Sequence, residues 1–360
     1  MSRKIQKNNE KKSSPRNSSK KRITIKDIAA QAGVSLRTVS LVMNESGRIS
    51  KATRKRVLEI AAAMNYRPNP IAQSLVNRRT YLFGVNFPYL DVSFNHTIIA
   101  GMERKCVELD YELLLSSNKF STFTYMENDI PIMEKSLDRL VYRRVDGIVS
   151  VPDIRAIKSY REIISNDIPL LQILRNIPEL PCPSILVNQE RGMYLAVKHL
   201  LDRGLREIAF LHYGDTKFQE AANRYIGYLQ AFQEQGITAD FDRLVLACDL
   251  TFQGGIDAAR RLLQINPRLE AIVAATDYAA VGVMRACMEA GKNIPGDISV
   301  IGFDDMEFAL LQGHRTLSTV RQPKEQLGML AAEYLYRMVQ GEEVSSLVLE
   351  PKLIIRESSI

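Results

Sequence analysis

Along residues 23–66 the apolar positions recur every three or four residues, in three short blocks. Ile25, Ile28, Ala29 and Ala32 fall on one face of a first helix. Thr24 stands before it as a cap, and Asp27, three residues on, completes a capping-box-like pair. Gly33 stops that helix with a residue suited to a left-handed turn. Ser35 caps a second helix, Leu36 to Met43. Ser50 caps a third, Lys51 to Met64, with Val57, Ile60, Ala61 and Met64 on one face. Arg67-Pro68-Asn69-Pro70 then breaks the pattern. Asn69 with Pro70 opens one more helix, Ile71 to about Asn77, too short to hold by itself in water.

From residue 81 the texture changes. Apolar runs predict strands at 82–87, 111–116, 147–151, 169–174, 184–187, 207–212, 244–248, 271–275 and 299–303. Amphipathic helices fall around 96–109, 126–143, 190–203, 217–235, 253–264, 278–290 and 323–340. Repeated strand–helix–strand order predicts parallel sheets with helices on both faces. Roughly 280 residues exceed what one core comfortably organises, so two lobes are expected.

Charge sharpens the division. Residues 1–80 hold 19 Lys and Arg against 4 Asp and Glu, while the remainder holds 29 against 37. A basic head suits a polyanion, and the acidic body does not. Residues 1–22 are almost devoid of apolar side chains and are expected to be disordered. They serve either as a phosphate-attracting tail or as a solubilising one. The basic start lacks the apolar core of a secretory signal and no run of eighteen apolar residues occurs, so a cytoplasmic protein is expected. Cys106, Cys182, Cys248 and Cys287 are far apart, with no histidine cluster nearby. They read as buried, reduced thiols, and neither metal nor cofactor is expected.

Residues 23–44, ITIKDIAAQAGVSLRTVSLVMN, have the layout of a helix-turn-helix. Such a unit lays its second helix in the DNA major groove, with N-terminal side chains at base edges. Leu36, Arg37 and Leu41 are the exposed candidates, and Arg37 has the fork to bond a guanine twice. Thr24, Ser35, Thr38, Ser40, Asn44, Ser50 and Thr53 are short polar residues near helix ends, suited to phosphate oxygens.

These segments, with NYRPNPIAQSL (65–75), resemble the DNA-binding head of the lactose/purine repressor (LacI/GalR) family. The resemblance continues through VDGIVSV (145–151), NQERG (188–192), NRYIG (223–227), ATDYAAVG (275–282), SVIGFDD (299–305) and LSTVRQP (317–323). It implies an N-terminal all-α helix-turn-helix head (23–68), a hinge helix and linker (69–80), and an α/β, two-lobed, periplasmic-binding-protein-like body (81–360) for effector binding and dimerisation. It implies two subunits on a near-palindromic operator, with Leu75 of the hinge helix wedged between base pairs in the minor groove. The DNA-facing set then takes in Arg48, Tyr66, Asn69, Ala72 and Val76 as well. Leu41 and Val76 depart from the family at reading positions, so no operator sequence transfers.

The chain is expected to cross between lobes near 204, 320 and 342. Lobe one would be 81–203 with 321–341, and lobe two 204–320 with 342–360. By resemblance, Arg224 and Asp304 meet the effector, and Phe94, Asn188, Thr276, Asp277 and Phe303 complete the set. Asn188 stands where aspartate is usual, Phe94 lies in an altered Val92-Ser93-Phe94-Asn95 motif, and Arg315 replaces a proline. A sugar or sugar derivative is the expected effector; purines, phosphorylated sugars, a protein or no effector are the alternatives. Arg224 and Asp277 have a second reading as an ion pair within the lobe, and Asp304 as a turn cap. A strand-like end, Leu347–Arg356, in place of a heptad helix predicts a dimer rather than a tetramer.

Two other classes compete. A sugar-binding protein without regulatory role would explain 81–360 but not the head. An enzyme would need a catalytic signature, and GxSxG, HExxH and GxxxxGK[ST] are all missing from the sequence.

Overall fold

The computed structural model describes residues 23–44, 46–66, 79–88, 93–117, 130–213, 219–310 and 316–360. The chain divides into two compact units, Met1–Arg78 and Arg79–Ile360. The expected tail (1–22) and hinge helix, with Asn69, Ala72, Leu75 and Val76, lie outside the described residues, as does Arg315.

The head is three helices: α1 (Ile25–Ala32), α2 (Leu36–Met43) and α3 (Lys51–Ala63). Their apolar faces meet in one small core of Ile28, Ala29, Ala32, Val39, Val42, Val57 and Ala61. The ends follow from local chemistry. Asp27 Oδ2 accepts from Thr24 N at 2.8 Å and from Thr24 Oγ1 at 2.7 Å. Gly33 adopts φ 60°, where a β-carbon is unfavourable, and turns the chain into α2. Ser35 Oγ accepts from Thr38 N at 3.0 Å, and Ser50 Oγ from Thr53 N at 3.2 Å.

The body holds two six-stranded sheets. In sequence order the strands are β1 (Leu82–Phe87), β2 (Glu112–Ser117), β3 (Gly147–Ser150), β4 (Leu170–Ile173), β5 (Ser184–Val187), β6 (Ile208–Tyr213), β7 (Val245–Cys248), β8 (Ala271–Ala274), β9 (Ser299–Phe303), β10 (Ser318–Arg321), β11 (Leu347–Leu349) and β12 (Lys352–Ile354). Lobe one has the order β11-β5-β4-β3-β1-β2, and lobe two β12-β10-β9-β8-β6-β7. Neighbours run parallel except β12, which lies antiparallel to β10 at the edge. Between them run α4 (Ser93–Leu109), α5 (Ile130–Tyr142), α6 (Ile157–Ser165), α7 (Gln189–Asp202), α8 (Gln219–Glu234), α9 (Phe241–Leu244), α10 (Phe252–Ile265), α11 (Asp277–Glu289) and α12 (Lys324–Val339).

The three crossings differ from the expected ones in two places. The helix expected in lobe one, α7, belongs to lobe two: Met193, Ala196, Val197, Leu200 and Leu201 are buried in that lobe's core beside Tyr228 and Phe210. The first crossing is therefore at Asn188–Gln189, not near 204. The second runs through Gln322 and Pro323, from β10 into α12, which packs on α4 of lobe one. The third lies between β11 and β12, near 350 rather than 342, because Leu347–Leu349 pairs with β5 of lobe one. Periodicity reveals that a segment has an apolar face; it does not reveal which sheet will cover it.

The α4–α12 contact is close. A β-carbon on Gly328 would lie 1.9 Å from the Ile98 carbonyl oxygen, and one on Gly101 2.2 Å from that of Glu325. At the start of β1 the Asp146 carboxylate accepts from Thr80 N, Thr80 Oγ1 and Tyr81 N at 2.7, 2.8 and 2.9 Å. Arg79 donates to the Val339 carbonyl at the end of α12, at 3.1 Å. The entry of the chain into lobe one is thus tied to α12.

Of the cysteines, Cys106 and Cys287 are buried, whereas Cys182 and Cys248 are only half-buried, since each sits near a lobe surface. Burial pushes all four thiols up, to between about 11 and about 12.

Candidate functional site

In the head, the turn at Gly33 and the Ser35 cap leave the first turn of α2 facing outward. Val39 and Val42 hold the helix to the core, while Leu36, 44% exposed, and Arg37 stand in solvent. An exposed leucine beside an exposed arginine offers one apolar and one forked hydrogen-bonding group to a base edge. Leu41, expected to be exposed, is half-buried, because the chain after α2 folds back over it. Ser46 N donates to Leu41 O at 2.9 Å, and a β-carbon on Gly47 would meet Leu41 Cδ2 at 3.2 Å. Thr24, Ser35, Arg48 and Ser50 are exposed; Thr38, Ser40, Asn44, Thr53 and Tyr66 are half-buried. The hydroxyls of Thr24, Ser35, Ser50 and Thr53 already take part in the capping bonds.

In the body, a cavity of about 210 Å³ lies between the lobes, at the C-terminal ends of their parallel strands. This is where ligands bind in open α/β sheets. Lobe one contributes Pro88, Phe94, Asn95, Val151, Leu174 and Arg175. Lobe two contributes Phe210, His212, Glu220, Arg224, Thr276, Tyr278, Asp304 and Met306 among others. Gln189 and Gln322, one on each of two crossings, complete the wall. Most of that wall is apolar, with charged groups of both signs set into it.

Arg224, on α8, is the most heavily engaged. Its guanidinium lies over the Phe303 ring, 3.9 Å from the centroid. Its Nε donates to Gln189 Oε1 at 2.9 Å, and Nη1 donates to the Ala275 carbonyl. Asp304, at the end of β9, accepts from Gln322 Nε2 through Oδ1 at 2.8 Å. Its Oδ2 takes no hydrogen bond among the described residues. Burial pushes the Asp304 carboxyl up from its ordinary range, opposed by Arg224 and Lys324.

The turn carrying Asp304 is strained. Asp304 has φ 114° and Asp305 φ 50°, both unfavourable for residues with a β-carbon and costing about 1–3 kcal/mol each. Surrounding bonds hold it. Lys324 Nζ donates to the carbonyls of Asp304 and Asp305 at 2.5 and 3.1 Å. The Asp305 carboxylate accepts from Arg321 at 2.5 Å and Arg356 at 2.6 Å. Burial pushes Asp305 up, but those two arginines outweigh it and hold the carboxyl below its usual range.

Of the residues read from the sequence, Phe94, Arg224, Thr276 and Asp304 line the cavity. Thr276 also caps α11, accepting from Ala279 N at 3.2 Å. Three others do not reach the cavity. Asn188 caps α7, accepting from Arg191 N at 3.0 Å, and donates to Glu350 at 3.1 Å. Phe303 is fully buried beneath Arg224. Asp277 is fully buried too, accepting from Thr319 Oγ1 at 2.6 Å and Met306 N at 2.7 Å. Its role here is to hold β10 and the Asp304 turn together. Sequence reasoning passed over Gln189, Gln322, Arg175 and Glu220. NQERG and VRQP contain the two glutamines, but no local signal says they meet.

Among the described residues no group of side chains could hold a metal ion, and no helix is long and apolar enough to cross a membrane.

Residues 24–69 match the family model for bacterial regulatory proteins of the lacI family, and residues 197–359 that for a periplasmic binding protein-like domain. The ribose operon repressor of Haemophilus influenzae is 33% identical over 93% of this chain and 98% of its own length. The transcriptional repressor PurR of Photobacterium profundum is 32% identical over 93% of this chain and 98% of its own. Among solved structures, the lac repressor dimer bound to operator and the anti-inducer ONPF superposes with a TM-score of 0.83. It is 27% identical, and the match covers 94% of this chain and 100% of that one. A complex of the regulator CelR with cellobiose gives 0.68 at 27% identity, covering 94% and 100%. Head, body and their order along the chain agree with all of these, and the chain belongs to the lacI family of DNA-binding bacterial regulatory proteins.

Proposed function

We propose that this chain is a repressor that binds a near-palindromic operator as a dimer and responds to a small uncharged polyol held between its lobes. The observation that carries the effector reading is the Arg224–Asp304 pair. A forked donor and a carboxylate with a spare oxygen share one cavity wall. Hydroxyl groups both donate and accept, so they satisfy both partners at once. The cavity lining balances Arg175 and Arg224 against Glu220 and Asp304, which favours a neutral ligand over an anion. Relatives named as ribose operon repressors and a neighbour holding cellobiose support the same class.

Leu36, Arg37 and Leu41 read base edges in this proposal, and the short polar residues at helix ends meet phosphates. The neighbour solved as a dimer on operator supports paired subunits. The protein acts in the cytoplasm and catalyses no reaction.

Selection of bound DNA from a random library, at stated salt, tests the regulator. Enrichment of a two-fold symmetric site is the expected result. Enrichment of nothing above non-specific binding, with and without sugars, would reject it.

A further inference from the structure

The cavity wall carries a second charged pair. Arg175 follows β4 of lobe one, Glu220 sits in the first turn of α8 of lobe two, and Arg175 Nε donates to Glu220 Oε1. Both side chains are largely shielded, at 20% and 19% exposure. The other oxygen, Glu220 Oε2, is buried and has no hydrogen-bond partner among the described residues. Buried acceptors are rarely left so, because the desolvation is uncompensated. Glu220 and Arg224 are four residues apart on α8, neighbours on one face with about 5–6 Å between β-carbons.

We propose that Glu220 is a ligand-binding residue whose Oε2 accepts a hydrogen bond from a hydroxyl of a monosaccharide-sized, uncharged polyol. The proposal rests on the effector reading above and narrows it. A carboxylate is an acceptor only, so the missing partner must be a donor. An anion would face Glu220 and Asp304, and a cation Arg175 and Arg224. Glu220 and Arg224 line the same cavity of about 210 Å³, which suits a small ligand. Arg175 comes from the opposite lobe, so it orients Glu220 only while the lobes stand as they do here. Ligand affinity and lobe spacing are therefore coupled at this pair.

The test is calorimetric titration of the full chain with D-ribose, D-glucose, D-fructose, ribose 5-phosphate and cellobiose. One of the three monosaccharides is expected to bind, and neither the phosphate nor the disaccharide to bind better. Glu220→Ala then weakens that sugar by about tenfold to a hundredfold, the range of a hydrogen bond to a charged group. Arg175→Met weakens it less, while the ligand-free melting temperatures of the two variants fall alike. A merely structural ion pair predicts the lowered melting temperatures with affinity unchanged, and that result overturns the assignment. So does failure of all three monosaccharides, or tighter binding of the phosphate or of cellobiose. Operator selection on the unmodified protein is independent of these titrations. Failure of the regulator reading would appear there, and failure of the Glu220 assignment would not.

Discussion

Gln189 donates through Nε2 to Gln322 Oε1 at 2.9 Å, although 133 residues separate them. One stands at the first crossing between lobes and the other at the second. Each also holds one charged member of the cavity: Gln189 accepts from Arg224, and Gln322 donates to Asp304. The two crossings and the charged pair of the cavity wall thus form one hydrogen-bonded chain.

Cutting that chain should affect ligand and fold together. Gln189→Leu or Gln322→Leu leaves a buried charged group short of a partner, costing about 1–3 kcal/mol. Melting of the ligand-free protein should fall by that amount, and sugar affinity by about tenfold. Since both act on one network, the double variant should cost less than the sum. Strict additivity in a double-mutant cycle would show that the bond carries no coupling.

Reading and capping separate cleanly in the head. Arg37 is exposed, so Arg37→Ala should leave head stability unchanged while relaxing base preference at one operator position by about 1–3 kcal/mol. Ser35→Ala should do the reverse, lowering stability by about 1 kcal/mol through loss of the cap on Thr38 N. Circular-dichroism melts and selected-site profiles of the two variants distinguish these effects. A stability loss in the Arg37 variant matching that of Ser35→Ala would contradict the assignment.

Asp277 should make the body lose stability as pH rises from acid through neutrality. Burial, and next the nearby Asp304 charge, push its carboxyl up to about 8. A carboxyl raised above its unfolded value near 4 holds its proton more tightly when folded. The stability it contributes is full below about 4, declines as pH rises, and is gone once pH passes the folded value. Melting temperature should therefore drop between about pH 4 and 8 and level off above that. Asp277→Asn, which keeps an acceptor for Met306 N and a donor for Thr319, should flatten that drop. The paired Asp305 has the opposite sign and loses its contribution only under acid, so it does not mask the effect. An unchanged profile in the variant would place that loss elsewhere.

The α4–α12 contact should tolerate no β-carbon at Gly101 or Gly328. Gly328→Ala brings a methyl to 1.9 Å from a backbone oxygen, and only a shift of the helix pair relieves it. A loss of about 1–3 kcal/mol or more is expected in denaturant unfolding of the body. Gly296 is the control, since its nearest neighbour would be 3.5 Å away and Gly296→Ala should be nearly neutral. Equal effects at the two sites would refute the close-packing argument.

What the amino-acid sequence determined by itself is local. Thr24 with Asp27, Gly33, Ser35 and Ser50 mark the head helices because each acts on backbone groups within a few residues. The strands β1, β5 and β9 were legible to the residue, since a run of apolar side chains bounded by polar turns needs no distant partner to be recognised. Arg224 and Asp304 were found through the motifs around them. Three things waited for the tertiary structure. The short strand Ser318–Arg321 was invisible because its identity comes from pairing with β9 and β12. The lobe that owns α7 depended on which sheet covered its apolar face. The roles of polar residues depended on what stood opposite: Asp277 and Asn188 carry ligand-type side chains but turn to Thr319 and Arg191, while Gln189, Gln322, Arg175 and Glu220 meet across gaps of 133 and 45 residues. Hydrogen bonds reach about 3 Å, and nothing in a linear pattern says which distant groups the folded chain will bring that close.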